Sequence, residues 1–274
     1  MNRLHAMTAR SYLFVPGDRP DRFAKATTSG AERVIIDLED AVAPEAKDSA
    51  RASIAEWLAT SQPAVPVIIR INDITTPWHA EDLDLALQPG VAGLMLPKTE
   101  SATSLAESGR RLQIDQELYA LIETVTGFVH MRELAATDGL TRLAFGSVDF
   151  ANDAGIHGNE RELDLVRSQL VIESRYANLP APIDGVTTAI DDEALLEAEV
   201  SQAKRFGFGA KLCIHPRQVP VVQRGFAPST EEKAWAARVL AAVASASHGA
   251  ITVDGKFVDQ PVVDRARSIA EYGQ

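Results

Sequence analysis

The sequence contains a single cysteine, Cys213, among its 274 residues. One cysteine excludes an intramolecular disulfide and a cysteine-rich zinc site, and it is typical of a protein of the reducing cytoplasm. The chain also lacks an uninterrupted apolar stretch of about 20 residues, the length that a membrane-spanning helix needs. Its first ten residues, MNRLHAMTAR, lack the apolar segment of a secretory signal. We therefore expect a cytoplasmic protein that does not span a membrane.

Basic residues are in the minority and are not clustered. The chain has 27 lysines and arginines against 38 aspartates and glutamates, a formal net charge of −11. A nucleic-acid partner is not expected, because a phosphate backbone requires a basic surface. The glycine-rich GxGxxG motif is absent after the first apolar run, which argues against a dinucleotide-binding Rossmann fold.

Eight short apolar segments alternate with helical patterns at intervals of about thirty residues. This alternation predicts a (β/α)₈ TIM barrel. The predicted strands cover residues 12–15, 33–38, 65–71, 91–96, 118–124, a sixth run from residue 143, 183–189 and 210–214. Helices are predicted at about 20–29, 44–58, 78–87, 101–112, 162–177 and 191–206. We assign residues 1–228 to the barrel and 229–274 to a short appendage made of a helix (230–247), a hairpin at Asp254–Gly255 and a last helix (261–272).

Polar residues follow the predicted strands, at the end of a barrel where active sites lie. We expect ten of them to converge there: Asp37, Glu39, Asp40, Arg70, Asn72, Lys98, Glu123, Asp149, Asp184 and His215. Any one of them has a plain structural interpretation, because strand-to-helix loops are polar and acidic residues cap helices.

Glu123 and Asp149 are predicted metal ligands, with Asp149 placed in a loop just after the sixth strand. Two carboxylates without cysteines or paired histidines suit Mg²⁺, with Mn²⁺ as the alternative ion. The competing interpretation is a pair of helix caps.

Arg70 ends an almost wholly apolar strand, where an unpaired charge is costly. It either pairs with Glu39 and does nothing more, or stabilises an oxygen that becomes anionic during a reaction. Lys98 raises the alternative of a Schiff base, which the surrounding acids disfavour because they would raise its pKa. His215 is expected to be a satisfied loop histidine and Cys213 an inert buried thiol.

Two further groups of residues are candidates for substrate binding. Gly146, Ser147 and Val148 offer consecutive backbone N–H groups, a candidate nest for a substrate carboxylate. Arg19, Arg22 and Lys25 flank the first helix and are either a solvated face or a site for the phosphates of a large substrate.

Seven motifs occur in order along the chain: SYLFVPGDRP, DLEDAV, IIRIN, LPK, LIET, FGSVDFANDAG and CIHPRQV. With these motifs the sequence resembles the citrate lyase β-subunit-like family, relatives of malyl-CoA and citramalyl-CoA lyases. The resemblance implies a magnesium-dependent barrel that breaks or forms a carbon–carbon bond between an acyl-CoA and an oxo acid. It places the metal ligands on Glu123 and Asp149, the substrate arginine on Arg70, and supporting catalytic acids on Asp37 and Glu39.

The resemblance also extends to the tail and to assembly. It makes Asp259, in KFVDQP, the acid or base that reaches over a neighbouring subunit, and it implies a homotrimer or hexamer. Arg19, Arg22 and Lys25 are then candidates for binding CoA, and Lys98 for binding the substrate. Two alternatives stay open: an aldolase acting on free oxo acids, and a non-catalytic acyl-CoA-binding subunit that needs a partner such as an acyl carrier.

Overall fold

A computed structural model describes residues 9–158, 161–245 and 251–271. Strands β1 to β8 pair in sequence order, all parallel, and β8 closes on β1. The predicted TIM barrel is therefore confirmed, and additional helices follow it. The eight barrel strands are β1 (Ser11–Pro16), β2 (Arg33–Asp37), β3 (Val67–Arg70), β4 (Val91–Leu96), β5 (Glu117–Ile122), β6 (Leu140–Phe145), β7 (Ile183–Asp184) and β8 (Ala210–Cys213).

Helices cover the outside of the barrel, and four of them are absent from the predicted set: two short ones between β5 and β6, one directly after β6 and one after β8. In chain order they are α1 (Phe23–Thr27), α2 (Lys47–Thr60), α3 (His79–Leu83), α4 (Ala102–Gly109), α5 (Val125–Val129), α6 (Met131–Ala135), α7 (Ser147–Asp153), α8 (Asp164–Tyr176), α9 (Glu193–Phe206) and α10 (Gln218–Phe226). Single 3₁₀ turns at Pro20–Arg22 and Pro44–Ala46 precede α1 and α2, and another at Asp84–Leu87 follows α3.

Alternation along the strands decides which side chains enter the barrel. Ile35, Ile68 and Leu121 belong to the apolar cluster inside the barrel, whereas their neighbours pack between sheet and helices. Because successive side chains of a strand point to opposite faces, the residues two positions further on also point inward. Asp37 and Arg70 are thereby brought to the interior at the carboxyl ends of β2 and β3.

Two strand predictions need correction. β6 begins at Leu140, three residues before the predicted start, because Leu140 and Arg142 pair with β5, while Thr141 lies at a break in the register and its hydroxyl oxygen accepts from Leu118 N–H. β7 ends at Asp184 instead of continuing to residue 189, and it pairs with β6 through Ala144 and Ile183 alone. Gly185, which follows β7, lies against Ser147, where an added Cβ would come within 2.3 Å of the hydroxyl oxygen.

The amino-terminal end of the barrel is closed by a polar cluster. Arg33 forms a bidentate ion pair with Glu117 at 3.0 and 3.1 Å. Arg142, which is 1% exposed, donates from Nη1 to the carbonyl oxygen of Ala9 at 2.7 Å and to the hydroxyl of Tyr12 at 3.3 Å. These contacts give the buried charged groups partners, which reduces the cost of burying them, although Arg142 Nη2 has no hydrogen-bond partner among the described residues. The side chains fill this end of the barrel, so the opposite end is the mouth.

The appendage has an apolar cluster of its own. Helix α11 (Thr230–Ser245), strands β9 (Ile251–Val253) and β10 (Lys256–Val258), and helix α12 (Gln260–Ala270) pack around Val239 and Ala266. The predicted capping box is present, because Ser229 Oγ accepts from Glu232 N–H and Glu232 accepts from Ser229 N–H. The predicted helix ends at residues 247 and 272 lie outside the described residues.

No helix in the described part of the chain is long and apolar enough to cross a membrane.

Candidate active site

Arg70 lies at the centre of the mouth. Its Nε and Nη2 donate to the two carboxylate oxygens of Asp37 at 2.7 and 2.6 Å, and its Nη1 lies 3.1 Å from Glu39 Oε2. The guanidinium also stacks over the ring of Phe14 at 4.9 Å. The predicted pairing with Glu39 is present, but the bidentate partner is Asp37. Two carboxylates fix the planar fork of Arg70 in one orientation.

Lys98 connects the ends of β2 and β5. Its Nζ donates to Glu39 Oε1, and its backbone N–H donates to Glu123 Oε1 at 2.7 Å. Lys98 has a φ of +42°, in the left-handed region that non-glycine residues rarely occupy. Although burial lowers the pKa of Lys98, the hydrogen bond and the negative charge of Glu39 raise it by more. A raised pKa keeps the amine protonated, which disfavours the Schiff base as predicted.

Glu123 is a buried carboxylate, 1% exposed, at the end of β5. Burial, together with the negative charge of Glu39, raises the pKa of Glu123 to about 8, although the positive charge of Arg70 opposes the shift. Burial also raises the pKa of Glu39, again against Arg70. We call Asp37, Glu39, Arg70, Lys98 and Glu123 the mouth cluster.

Asp149 is not in a loop, as the sequence analysis expected, but in the first turn of α7. The chain enters this helix at Gly146, directly beside Glu123. A Cβ on Gly146 would lie 2.5 Å from Glu123 Oε2, so only glycine leaves room for that carboxylate. The half-buried Asp149 follows three residues later. The structure thus places both predicted metal ligands on the neighbouring ends of β5 and β6.

The predicted nest of three N–H groups is reduced to two. The N–H of Gly146 donates to the carbonyl oxygen of Ile122 at 2.9 Å, so it is not available to a ligand. Ser147 and Val148 begin α7, where backbone N–H groups lack partners within the helix.

The structure also assigns a place to Lys47, which the sequence analysis missed. This side chain is 5% exposed, and its Nζ donates to the carbonyl oxygens of Leu38 and Glu39, each at 2.6 Å. The signal was present in the sequence: Lys47 lies on the same helical stripe as the buried Ala50, Ile54 and Leu58. A lysine on the core-facing side of a helix needs a buried acceptor.

Three other predicted residues lie apart from this group. Asp184 was expected at the mouth but points outward, because Ile183 takes the inward position of β7. It pairs with Lys211 at 2.8 Å and Arg167 at 3.5 Å, between the sheet and the helices. His215 Nδ1 accepts from the N–H of Arg217, as a satisfied loop histidine does. Burial raises the pKa of Cys213 to about 12, which keeps the thiol protonated and inert, as predicted.

The predicted CoA-binding residues Arg19, Arg22 and Lys25 are exposed, and Arg19 pairs with Asp21 at 3.0 Å. Asp259 Oδ1 accepts from the N–H of Val262 at 3.2 Å and caps α12. The capping interpretation of Asp259 is confirmed; its catalytic interpretation stays a prediction.

The carboxylates fit a small divalent cation. Glu123 Oε2 and the carboxylate of Asp149 accept no hydrogen bond from any described residue, and the Glu123 carboxylate occupies the place that a side chain at residue 146 would take. The described residues contain no group of three or more histidine, cysteine or acidic side chains arranged to hold a metal. A site with two carboxylates leaves positions for water and substrate, as Mg²⁺ sites usually do.

Comparisons with known proteins agree with this geometry. The chain is 33% identical to a citrate lyase subunit β-like protein of Deinococcus radiodurans, over 96% of each chain. It is 33% identical to a (3S)-malyl-CoA thioesterase of Cereibacter sphaeroides, over 94% of this chain and 92% of the relative. The solved structure of CitE from Mycobacterium tuberculosis in complex with magnesium, acetoacetate and coenzyme A superposes with a TM-score of 0.85. Its sequence identity is 34%, over 98% of this chain and 99% of CitE.

The family model described as HpcH/HpaI aldolase/citrate lyase matches residues 10–216, which contain every barrel strand and the whole mouth cluster. The resemblance inferred from the seven motifs is thereby confirmed, and the chain belongs to the HpcH/HpaI aldolase/citrate lyase family.

Proposed function

We propose that the protein is a magnesium-dependent carbon–carbon lyase that cleaves, or in reverse forms, a 3-hydroxyacyl-CoA of the malyl-, citramalyl- or citryl-CoA type. The observation that carries the proposal is the mouth cluster. In it, an arginine fixed by two carboxylates lies beside a buried glutamate, Glu123, whose Oε2 accepts no hydrogen bond from the described residues and is available to bind a metal. The CitE structure with magnesium, acetoacetate and coenzyme A supports the choice of ligands.

The reaction needs a site that holds negative charge and moves a proton. The bond between C2 and the hydroxyl-bearing C3 breaks as the hydroxyl loses its proton, giving an oxo acid and the enolate of an acyl-CoA. A proton added at the enolate carbon completes the acyl-CoA, so atoms and electrons balance without an oxidant. Mg²⁺, held by Glu123 and Asp149, would supply Lewis-acid polarisation of the hydroxy acid.

Arg70 has the role of binding the oxygen on which charge develops. Its fork is oriented by Asp37 and Glu39, so little reorganisation is needed during the reaction. The N–H groups of Ser147 and Val148 would orient the substrate carboxylate, and Lys98 would hold Glu39 in position. Asp259 of a neighbouring subunit is the proposed proton donor, and Arg19, Arg22 and Lys25 the proposed contacts for the CoA phosphates.

The proposal is tested by incubating the purified chain with Mg²⁺ and a panel of CoA thioesters. We expect an acyl-CoA and an oxo acid in equal amounts, and no products after chelation of the metal or in Glu123→Gln. Release of free CoA with an intact hydroxy acid would instead identify a thioesterase. Cleavage of free hydroxy acids alone would identify an aldolase that does not use CoA. Activity only after addition of an acyl-carrier protein would identify a complex-dependent subunit.

A further inference from the structure

A cavity of about 330 Å³ lies beside the mouth cluster, between the segments that follow β3 and β4. Its walls include Asn72, Ile74, His79, Leu96, Lys98 and Ser104. Leu96 and Ile74 form an apolar part of this wall, and α4 contributes Ser104. The cavity is therefore bounded by helix α4 on one side and by Lys98 of the mouth cluster on the other.

His79 supplies a buried acceptor to this cavity. The side chain is 8% exposed, and its Nδ1 lies 2.8 Å from the carbonyl oxygen of Asn72. Because a carbonyl oxygen only accepts, Nδ1 is the donor in this contact, and in the imidazole tautomer with its proton on Nδ1 the other nitrogen, Nε2, is an acceptor. No described residue donates a hydrogen bond to Nε2. A ligand in the cavity would meet an unpartnered acceptor in an apolar surrounding.

The charges around the cavity select against anions. Asp73 and Glu100 line it, and its one lining cation among the described residues, Lys98, is bound to Glu39. A phosphate or a second carboxylate placed here would face two acids without a free cation. The suitable ligand is neutral, apolar along its length, and ends in a hydroxyl or N–H group.

The cavity is directly connected to the proposed chemistry through Lys98. Lys98 is one of the residues that line the cavity, and its backbone N–H donates to Glu123 Oε1 at 2.7 Å. Because Lys98 borders the cavity and also contacts Glu123, a substituent of a few atoms on a substrate bound at Glu123 is the group that would extend toward the cavity.

We propose that this cavity is a specificity subsite for the substituent of the oxo-acid part of the substrate, and that it selects a neutral substituent with a terminal donor to His79 Nε2. The inference rests on the proposed lyase reaction and changes the substrate class within it: the oxo acid is longer than the glyoxylate or pyruvate of malyl- or citramalyl-CoA, and it lacks the second carboxylate that citryl-CoA would supply.

The test uses three acceptors with the same five-carbon chain in the condensation direction, each with acetyl-CoA and Mg²⁺: 5-hydroxy-2-oxopentanoate, 2-oxopentanoate and 2-oxoglutarate. Pyruvate serves as the short reference. We expect kcat/KM to fall in the order given, by about tenfold from the hydroxy acid to 2-oxoglutarate. His79→Phe should remove the preference for the hydroxy acid over 2-oxopentanoate. Ser104→Phe, which fills the cavity, should lower kcat/KM for 5-hydroxy-2-oxopentanoate and for 2-oxopentanoate, each relative to kcat/KM for pyruvate, by about tenfold.

Thr103→Phe is the matched control, because Thr103 is the preceding residue of α4 and lines a separate cavity with Arg110 and Glu133. It should leave every ratio unchanged. If Ser104→Phe does not fold, Ser104→Met should give a smaller change in the same direction.

Calorimetric binding of the three acids with Mg²⁺, without acetyl-CoA, separates the two proposals. Binding that follows the expected order while no acid is condensed would contradict the lyase function and support the subsite. Condensation with equal kcat/KM for the three acids, unaltered by Ser104→Phe, would support the lyase and overturn the subsite. Equal binding of all three acids without any condensation would overturn both.

Discussion

At the scale of single residues, the mouth cluster joins groups of opposite charge so closely that each one sets the properties of the next. Glu39 contacts both Arg70 and Lys98, and Lys98 contacts Glu123. A change at one member therefore alters the orientation or the protonation of its neighbours.

Replacing Arg70 by lysine should reduce activity severely although the positive charge is retained. An ammonium group cannot reproduce the bidentate contact with Asp37 and also contact Glu39. We expect the loss mostly in kcat, about 3 kcal/mol or roughly a hundredfold, as for other removed oxyanion donors. Steady-state kinetics would check this. A near-normal kcat with a raised KM would restrict Arg70 to ground-state binding.

The metal-free protein should become less stable as pH rises toward 8. The folded-state pKa of Glu123 is raised to about 8 from the ordinary value of 4.5, so its stabilising contribution is complete below pH 4.5 and is lost as pH rises through 8. Melting temperatures between pH 5 and 8 should fall less steeply in Glu123→Gln. Mg²⁺ should raise the melting temperature of the parent most at the alkaline end, because it binds the ionised carboxylate. Parallel pH curves for parent and variant would contradict this assignment.

Lys47 should act as a positioning residue for Glu39. Lys47→Met removes both hydrogen bonds to the carbonyls of Leu38 and Glu39 and leaves them buried without a donor. We expect a lower melting temperature. We also expect a changed ratio of kcat to KM, because Glu39, in the segment after β2 that Lys47 holds, contacts Arg70. Lys47→Arg should restore part of both. Lost stability with unchanged kinetic constants would limit Lys47 to a structural role.

At the scale of the elements, much of the site followed from the sequence. The two-residue period of the strands placed Asp37, Arg70 and Glu123 near one another, since each follows an inward apolar residue by two positions. The same rule points Asp184 away from the mouth, because Ile183 is the inward residue of β7. The sequence does not reveal this orientation, since β7 is only two residues long and no apolar alternation continues past residue 184. The left-handed turn at Lys98 and the backbone acceptors of Lys47 arise from tertiary contacts that no local pattern records.

Helix α7 should depend on the absence of a side chain at Gly146. In Gly146→Ala the new methyl group would overlap Glu123 Cβ at 2.4 Å, so the helix and the carboxylate must separate. We expect weaker Mg²⁺ binding by calorimetry. Gly139→Ala is a control for strain alone, because Gly139 has a φ of +84° and an added Cβ there meets no atom within 4 Å. Equal Mg²⁺ affinity in both variants would show that Glu123 and Asp149 of α7 do not bind the same metal ion.

At the scale of the whole molecule, the appendage carries the proposed proton donor on an element with its own apolar core. Asp259→Ala should lower stability by about 1 kcal/mol because a cap is lost. If Asp259 also supplies the proton, kcat should fall by roughly a hundredfold, which a cap alone does not explain. Kinetics and thermal melting of the same preparation would distinguish the two.

Action across a subunit boundary makes a separate prediction about assembly. Mixed oligomers of Asp259→Ala and Arg70→Ala should recover part of the activity, because some mouths receive an intact residue from each chain. Size-exclusion chromatography with light scattering would show whether the expected trimer or hexamer forms. Mixed assemblies that exchange subunits and remain inactive would make the tail structural.

The shortness of β7 makes the barrel wall uneven. Its joint with β6 contains one residue pair, whereas β5 and β6 share five. Backbone amides along such a weak seam should exchange with solvent earlier than those of β2 to β5, because local opening there breaks few hydrogen bonds. Ser147 packs against Gly185 directly above this seam. Helix α7 forms the proposed substrate-binding edge next to this seam, so we expect that edge to open locally without unfolding of the rest, and ligand binding should slow amide exchange there more than anywhere else in the barrel.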